Sequence, residues 1–251
     1  MFKEIFVLML LGHILGDYYT QTDSVAQKKN KHIKWVFFHA LCYWVVALVV
    51  AIPVMSTQVA VFVSIAAAAH LAIDYLKYIY VSARKKRICS TDRFERNLFF
   101  ADQILHLLSI VFIAYLFVMR GNVLVVHPVA ARAFETLGVS AVSVMNWSVA
   151  LLAIHKPANF VVSRVLMMYK TDQDDNPDTS DKKAGRLIGT LERTITLILI
   201  SLNQYAAIGL VLTAKSIARY DKISKDPVFS EYYLIGTLLS NLLVIAISFI
   251  L

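Results

Sequence analysis

Long apolar runs separated by short polar segments recur along the chain: Ile5–Tyr19, Trp35–Pro53, Val59–Tyr80, Leu98–Met119, Leu137–Ile154, Leu187–Ala214 and Tyr232–Leu251. The longer ones reach the roughly 20 residues that cross about 30 Å of hydrocarbon. Backbone N–H and C=O groups find no water in lipid, so such runs have to be helical. The pattern predicts an all-α, polytopic integral membrane bundle of about 6–8 membrane segments. It divides into a four-span region over residues 1–122 and a C-terminal membrane helical region over 123–251, with a polar loop at 172–183.

Composition agrees with this pattern. Of 251 residues, 58% are hydrophobic and 17% charged, against about 25% charged in an ordinary soluble domain. The first run reads as a retained span: Lys3 is followed at once by Glu4, His13 and Asp17 interrupt the apolar stretch, and Tyr18-Tyr19 ends it without a small-residue cleavage box. Cys42 and Cys89 have neither disulfide-framework nor zinc-finger spacing. The net charge of +8 does not point to nucleic acid, because the basic residues sit in short loops beside apolar runs. Lys28, Lys29, Lys31 and Lys34 lie between the first two spans, and Arg84, Lys85, Lys86, Arg87, Arg93 and Arg96 between the third and fourth. The positive-inside rule therefore puts both loops in the cytoplasm and the N-terminus outside.

The second half has other signals. Leu137–Tyr169 reads as a helix interrupted or kinked by Pro157. Asp172–Asp181, rich in aspartate with Asn176, Pro177 and Ser180, reads as a polar loop. Leu187–Tyr220 is too long for one upright span, and a single crossing would carry Lys215, Arg219, Lys222 and Lys225 outside against the charge bias. A broken or re-entrant helix turning near Asn203-Gln204 resolves the conflict, as does a long tilted helix that departs from the charge rule.

The chemistry lies in intramembrane polar pairs. His13 and Asp17, His70 and Asp74, and Asp102 and His106 are each four residues apart, hence on one helix face. His39 stands on the second span without an acidic neighbour there. Counted along alternating helices at about 1.5 Å per residue, Asp17, His39, Asp74 and Asp102 fall in one layer about 7 to 10 Å below the cytoplasmic boundary. Ionised aspartates in hydrocarbon require compensation, and imidazole with carboxylate suits a divalent transition metal such as zinc, manganese or iron. A plain Asp–His network, or an ion or proton path, accommodates the same residues. Lys77, one turn from Asp74, reads as a snorkelling anchor or a contact for an anionic substrate. Asp23 reads as a cap for the helix that begins near Val25. Glu192 and Arg193 lie inside the sixth run, and Lys215 with Arg219 forms a basic face suited to phosphate headgroups.

Several stretches carry a resemblance: Leu11-Gly12-His13-Ile14-Leu15-Gly16-Asp17 with Gln21-Thr22-Asp23; Phe38-His39-Ala40; His70-Leu71-Ala72-Ile73-Asp74-Tyr75-Leu76-Lys77; and Asp102-Gln103-Ile104-Leu105-His106. They resemble the N-terminal domain of a bacterial and phage membrane-protein family of unknown function, number 3307 in that series. Gly185–Arg193, Ala214–Arg219 and Glu231–Thr237 resemble the C-terminal part of its longer members. The resemblance implies a multi-pass protein of the bacterial inner (cytoplasmic) membrane and supplies no activity. More distantly, the His/Asp layer is similar to membrane-bound metal-dependent hydrolases, whose histidine-rich opening motif this chain does not match.

The expected function is a metal-dependent enzyme at the cytoplasmic leaflet, a hydrolase of a phosphorylated or ester lipid. Its metal ligands would be His13, Asp17, His70, Asp74, Asp102 and His106, its catalytic groups His39 and Glu192, and its phosphate contacts Lys215 and Arg219. A cation or proton transporter, and a non-catalytic structural or assembly component, are the alternatives. The orientation is checked by thiol labelling: Asn30→Cys and Ile88→Cys should react from the cytoplasm and Ser56→Cys from outside, and the reverse pattern would overturn it.

Overall fold

The computed structural model describes residues 1–29, 31–85, 91–167 and 179–251, with the side chains of Asp23, Lys85 and 179–184 left aside. Cys89, Lys86, Arg87, Tyr169 and the loop segment up to 178 therefore lie outside the described residues. In chain order the helices are α1 (Phe2–Ile14), which runs on as a π-helical turn over Leu15–Thr20, α2 (Asp23–Lys29), α3 (Ile33–Ala51) with a 3₁₀ turn at Ile52–Val54, α4 (Thr57–Lys85) and α5 (Asp92–Met119). They continue as α6 (Pro128–Thr136), α7 (Ala141–Leu166), α8 (Thr179–Ser201), α9 (Tyr205–Ala218), α10 (Tyr220–Lys225) and α11 (Pro227–Ser248).

Among the described residues, five helices are long and apolar enough to cross a membrane: Ile33–Val54, Thr57–Arg84, Asp92–Met119, Ala141–Leu166 and Pro227–Ser248. Of the 6–8 segments expected, about five of membrane length are found among the described residues. Two apolar runs account for the difference, because each is divided by a local change of backbone. The first is shared between the 13 residues of α1 and the π-helical turn. The sixth is shared between α8 and the 14 residues of α9, which rise only about 21 Å.

Compact packing divides the chain into Met1–Val149 and Ala150–Leu251, a boundary inside α7. In the first unit α1 packs on α3 and α5, and α4 on both of those. Its apolar core joins Ile5, Leu8 and Met9 of α1 to Ala51 and Val54, to Val59, Phe62, Val63 and Ala66 of α4, and to Ile110, Ile113, Ala114 and Phe117 of α5. Every one of these lies toward the same end of the bundle. Alternation of helix direction then gathers His13, Asp17, His39, His70, Asp74, Asp102 and His106 toward the other end. The close approach of α1 and α3 requires Gly12, where a Cβ would lie 3.3 Å from the Ala47 backbone. At the apolar end, His127 N–H donates to the Pro53 carbonyl at 2.7 Å, and His127 Nδ1 caps α6 through Val129 N–H. At the polar end, α2 starts with Thr22 Oγ1 accepting from Val25 N–H at 3.4 Å, the position expected of Asp23, whose side chain is not described.

In the second unit α7 passes Pro157 as an assigned helix, without the interruption allowed for in the sequence. Proline withholds an N–H and strains the preceding turn, and it is here that Arg193 donates from Nε to the Ile154 carbonyl at 2.7 Å. Arg193 also donates to Ser240 Oγ at 3.1 Å and Asn159 Oδ1 at 2.6 Å, so one buried guanidinium ties α7, α8 and α11 together.

The sixth run breaks at Leu202–Gln204, with Asn203 at φ 57°, in the left-handed region that asparagine tolerates better than most residues. Helices α8 and α9 then fold back on each other, and Lys215 Nζ reaches Glu192 Oε2 at 2.6 Å. Spin labels at Arg186 and Tyr220 should accordingly lie well short of the about 50 Å expected for a continuous helix of that length; a separation near that value would show α8 and α9 to be one rod.

Candidate metal centre

Each pair read from the sequence forms along its own helix, and the helices bring the pairs together. His13 Nε2 lies 3.9 Å from Asp17 Oδ2, His70 Nδ1 3.6 Å from Asp74 Oδ2, and His106 Nδ1 3.9 Å from Asp102 Oδ1. The contacts between helices are closer. Asp17 Oδ1 is 2.9 Å from His70 Nε2 and 3.1 Å from His39 Nε2, and His39 Nε2 is also 3.6 Å from Asp74 Oδ2. His39 thus finds on α1 and α4 the acidic partners its own helix lacks. The four imidazoles crowd together, with ring centroids 4.2 Å apart for His70 and His106 and 5.2 Å for His13 and His106.

The π-helical turn explains why Asp17 faces outward from α1 toward α3 and α4. Such a turn widens the backbone spacing and shifts the residues after it around the helix axis. Thr20 Oγ1 donates to the Gly16 carbonyl across it at 2.8 Å. Gly16 itself is required by close approach, since a Cβ there would stand 2.5 Å from Tyr43 Cδ2. Tyr43 is in turn stacked on His70, centroid to centroid 3.9 Å.

Two lysines complete the centre. Lys29, at the end of α2, is buried and donates to both oxygens of Asp74, at 2.8 and 2.7 Å. Lys77 turns to Asp102 Oδ2 at 2.8 Å, where Gln103 Nε2 also donates at 3.3 Å. Gln103 Oε1 accepts from Tyr18 at 2.8 Å. Sequence reading placed Lys29 among loop cations and Lys77 at the surface or on a substrate. A lysine's reach is legible in a sequence, but the carboxylate it finds is set by how helices pack. Three carboxylates, Asp17, Asp74 and Asp102, thus face two ammonium groups, and Asp17 is the one left to the histidines.

Several buried atoms have no hydrogen-bond partner among the described residues: His13 Nδ1, His70 Nδ1, His106 Nε2 and Asp102 Oδ1. His106 Nδ1 is 2.9 Å from the Asp102 carbonyl oxygen, an acceptor that holds the proton on Nδ1 and leaves Nε2 with its lone pair. This is the arrangement usual for a metal-ligating histidine. Three sets, His13/Asp17/His70, His39/His70/Asp74 and Asp74/Asp102/His106, each offer ligand atoms within 4.8 Å of one another. They share His70 and Asp74, so they form one continuous donor field whose nitrogen and carboxylate atoms fit a divalent transition metal.

The remaining candidates belong to the second unit. Glu192 is buried and holds Lys215, which also donates to Thr237 Oγ1 at 3.1 Å. Arg219 is exposed at the end of α9.

A Cβ at Gly16 tests how tightly the centre is built. Gly16→Ala should displace the Tyr43 ring and lower stability by about 1–3 kcal/mol, as overpacking does, measured as a fall in the thermal unfolding midpoint of the detergent-purified protein; an unchanged midpoint would show that Tyr43 is not held against His70.

Residues 5–133 match the family described as a protein of unknown function, DUF3307. No curated protein and no solved structure matches the chain. The matched region starts within α1, runs into α6, and holds every histidine, aspartate and lysine of the centre. The chain is a member of the DUF3307 family, with a further helical region after the matched part.

Proposed function

We propose that the protein is a metal-dependent membrane enzyme whose bundle of α1, α3, α4 and α5 holds one divalent transition metal, zinc, manganese or iron, near the cytoplasmic face of a bacterial inner membrane. The observation that carries this reading is the set of buried atoms without a hydrogen-bond partner among the described residues on His13, His70, His106 and Asp102. Each unsatisfied polar group buried away from water costs about 1–3 kcal/mol; a cation would satisfy those in the donor set it occupies. Charge sets the stoichiometry. Lys29 and Lys77 already balance two of the three carboxylates, so a second divalent ion would leave a large excess of positive charge in an apolar surrounding.

A metal held here supplies Lewis acidity toward a phosphoryl or carbonyl oxygen. His39 would serve as the general base: Nε2 carries the proton it donates to Asp17 Oδ1 at 3.1 Å, so the other ring nitrogen, Nδ1, would take a proton from an attacking water. The chemistry suits hydrolysis of a phosphorylated or ester lipid whose acyl chains stay in the bilayer. For Lys215 to receive a phosphate together with Arg219, it has first to leave Glu192.

Proton or cation transport is a second reading, favoured by His70, whose two ring nitrogens face Asp17 at 2.9 Å and Asp74 at 3.6 Å. A doubly protonated His70 would balance the third carboxylate without a metal.

Elemental analysis separates the two readings. Protein purified in detergent without a histidine tag should retain about one transition-metal ion per chain, and the double variant Asp17→Asn/Asp74→Asn should fall to background while its helical circular dichroism persists. Background metal in the unaltered protein would defeat the metal reading, and proton flux in proteoliposomes would then be the measurement for the second.

A further inference from the structure

Among the three carboxylates of the centre, Asp74 is held in a way the other two are not. Among the described residues Asp17 is paired with His13, His39 and His70 and with no lysine. Asp102 gives one oxygen to Lys77 and keeps Oδ1 without a partner. Asp74 gives both oxygens to a single ammonium, Lys29 Nζ, at 2.8 and 2.7 Å, and both residues are buried. Yet Asp74 belongs to two of the three donor sets, His39/His70/Asp74 and Asp74/Asp102/His106. The carboxylate most central to the donor field is therefore the one an internal cation covers.

Lys29 comes from outside the four-helix wall. It is the last residue of α2, a short helix packed on α3. Gln21 Oε1 accepts from the same ammonium at 3.4 Å, and the neighbouring Lys28 lies over the Trp35 ring, 4.6 Å from its centroid. Those contacts hold α2 against the start of α3 while Lys29 reaches inward. An ammonium and a divalent metal compete for the same carboxylate: the ammonium occupies a lone pair on each oxygen and its charge opposes the ion's approach.

Resting on the metal reading above, we propose that Lys29 is a tethered competitor for the metal: an intramolecular cation that neutralises Asp74 in the metal-free protein, must release at least one Asp74 oxygen when the ion enters, and so sets the affinity of the centre. In the metal-free state it spares the bundle an unpaired buried carboxylate, and on binding it withdraws with α2, which makes that helix the element that responds to occupancy. Lys29 is a positioning residue in this scheme and makes no contact with reacting atoms.

The test is calorimetric titration of Zn²⁺ into the full-length detergent-purified protein, stripped of metal, as the unaltered form and as Lys29→Met, Lys29→Gln and Asp74→Asn. Removing the ammonium should tighten Zn²⁺ binding by about tenfold or more, the scale of a charge-assisted hydrogen-bonded pair released from competition. Asp74→Asn should weaken it. The thermal midpoint supplies a readout that a merely structural role would not move: Lys29→Met should be less stable than the unaltered protein without Zn²⁺ and gain more than it does when Zn²⁺ is added. Lys29→Gln keeps a neutral donor on Asp74, and its tighter binding supports the proposal even where Lys29→Met does not fold. If the unaltered protein binds Zn²⁺ and neither Lys29 variant binds more tightly, the competitor role is overturned and the metal reading stands. If no form binds Zn²⁺, Mn²⁺ or Fe²⁺, the metal reading fails and this inference fails with it.

Discussion

The first unit depends on how three aspartates are neutralised inside helices whose surroundings are apolar. An ionised carboxylate away from water is tolerated only when paired, and Asp17, Asp74 and Asp102 obtain their partners from different helices: histidines of α1, α3 and α4, Lys29 of α2 and Lys77 of α4. The register of the whole bundle follows from that need. Sliding α1 by one residue against α3 and α4 would lose the pairing of Asp17 with His39 and His70, and would carry Gly16 away from Tyr43. The apolar end, where Phe62 meets Phe117 edge to face at 5.2 Å, supplies packing. The polar end supplies the specificity of alignment, since a wrong register would strand charge in an apolar medium.

The second unit uses the same physics with another partner set. Arg193 is buried with neutral acceptors on three helices, and Glu192 is closed by Lys215. Arg193 bonds the Ile154 carbonyl in the turn before Pro157, and α7 keeps that proline within a run long enough to span. The two units thus differ in sign. In the first, the carboxylates outnumber the lysines and the remaining charge invites a cation. In the second, among the described residues, buried Arg193 adds a positive charge held by neutral acceptors, while half-buried Lys215 pairs with the buried carboxylate of Glu192.

Much of this was legible in the sequence. Apolar runs of spanning length, the i,i+4 spacing of His13/Asp17, His70/Asp74 and Asp102/His106, and alternation of helix direction determined an all-α membrane bundle with its polar groups in one layer, because lipid leaves the backbone no other choice and helical periodicity puts each pair on one face. The break near Asn203-Gln204 was one of two ways the sequence offered to reconcile length with loop charge, the other being a long tilted helix, and the tertiary structure decided for the break. Tertiary structure alone decided which of four loop lysines reaches Asp74, that Lys77 turns to Asp102, and that His39 meets Asp17. It also decided that the first apolar run changes to a π-helical turn at Leu15. Each of these rests on contacts between segments distant in the chain, such as Tyr43 against Gly16, and no spacing within a single helix encodes them.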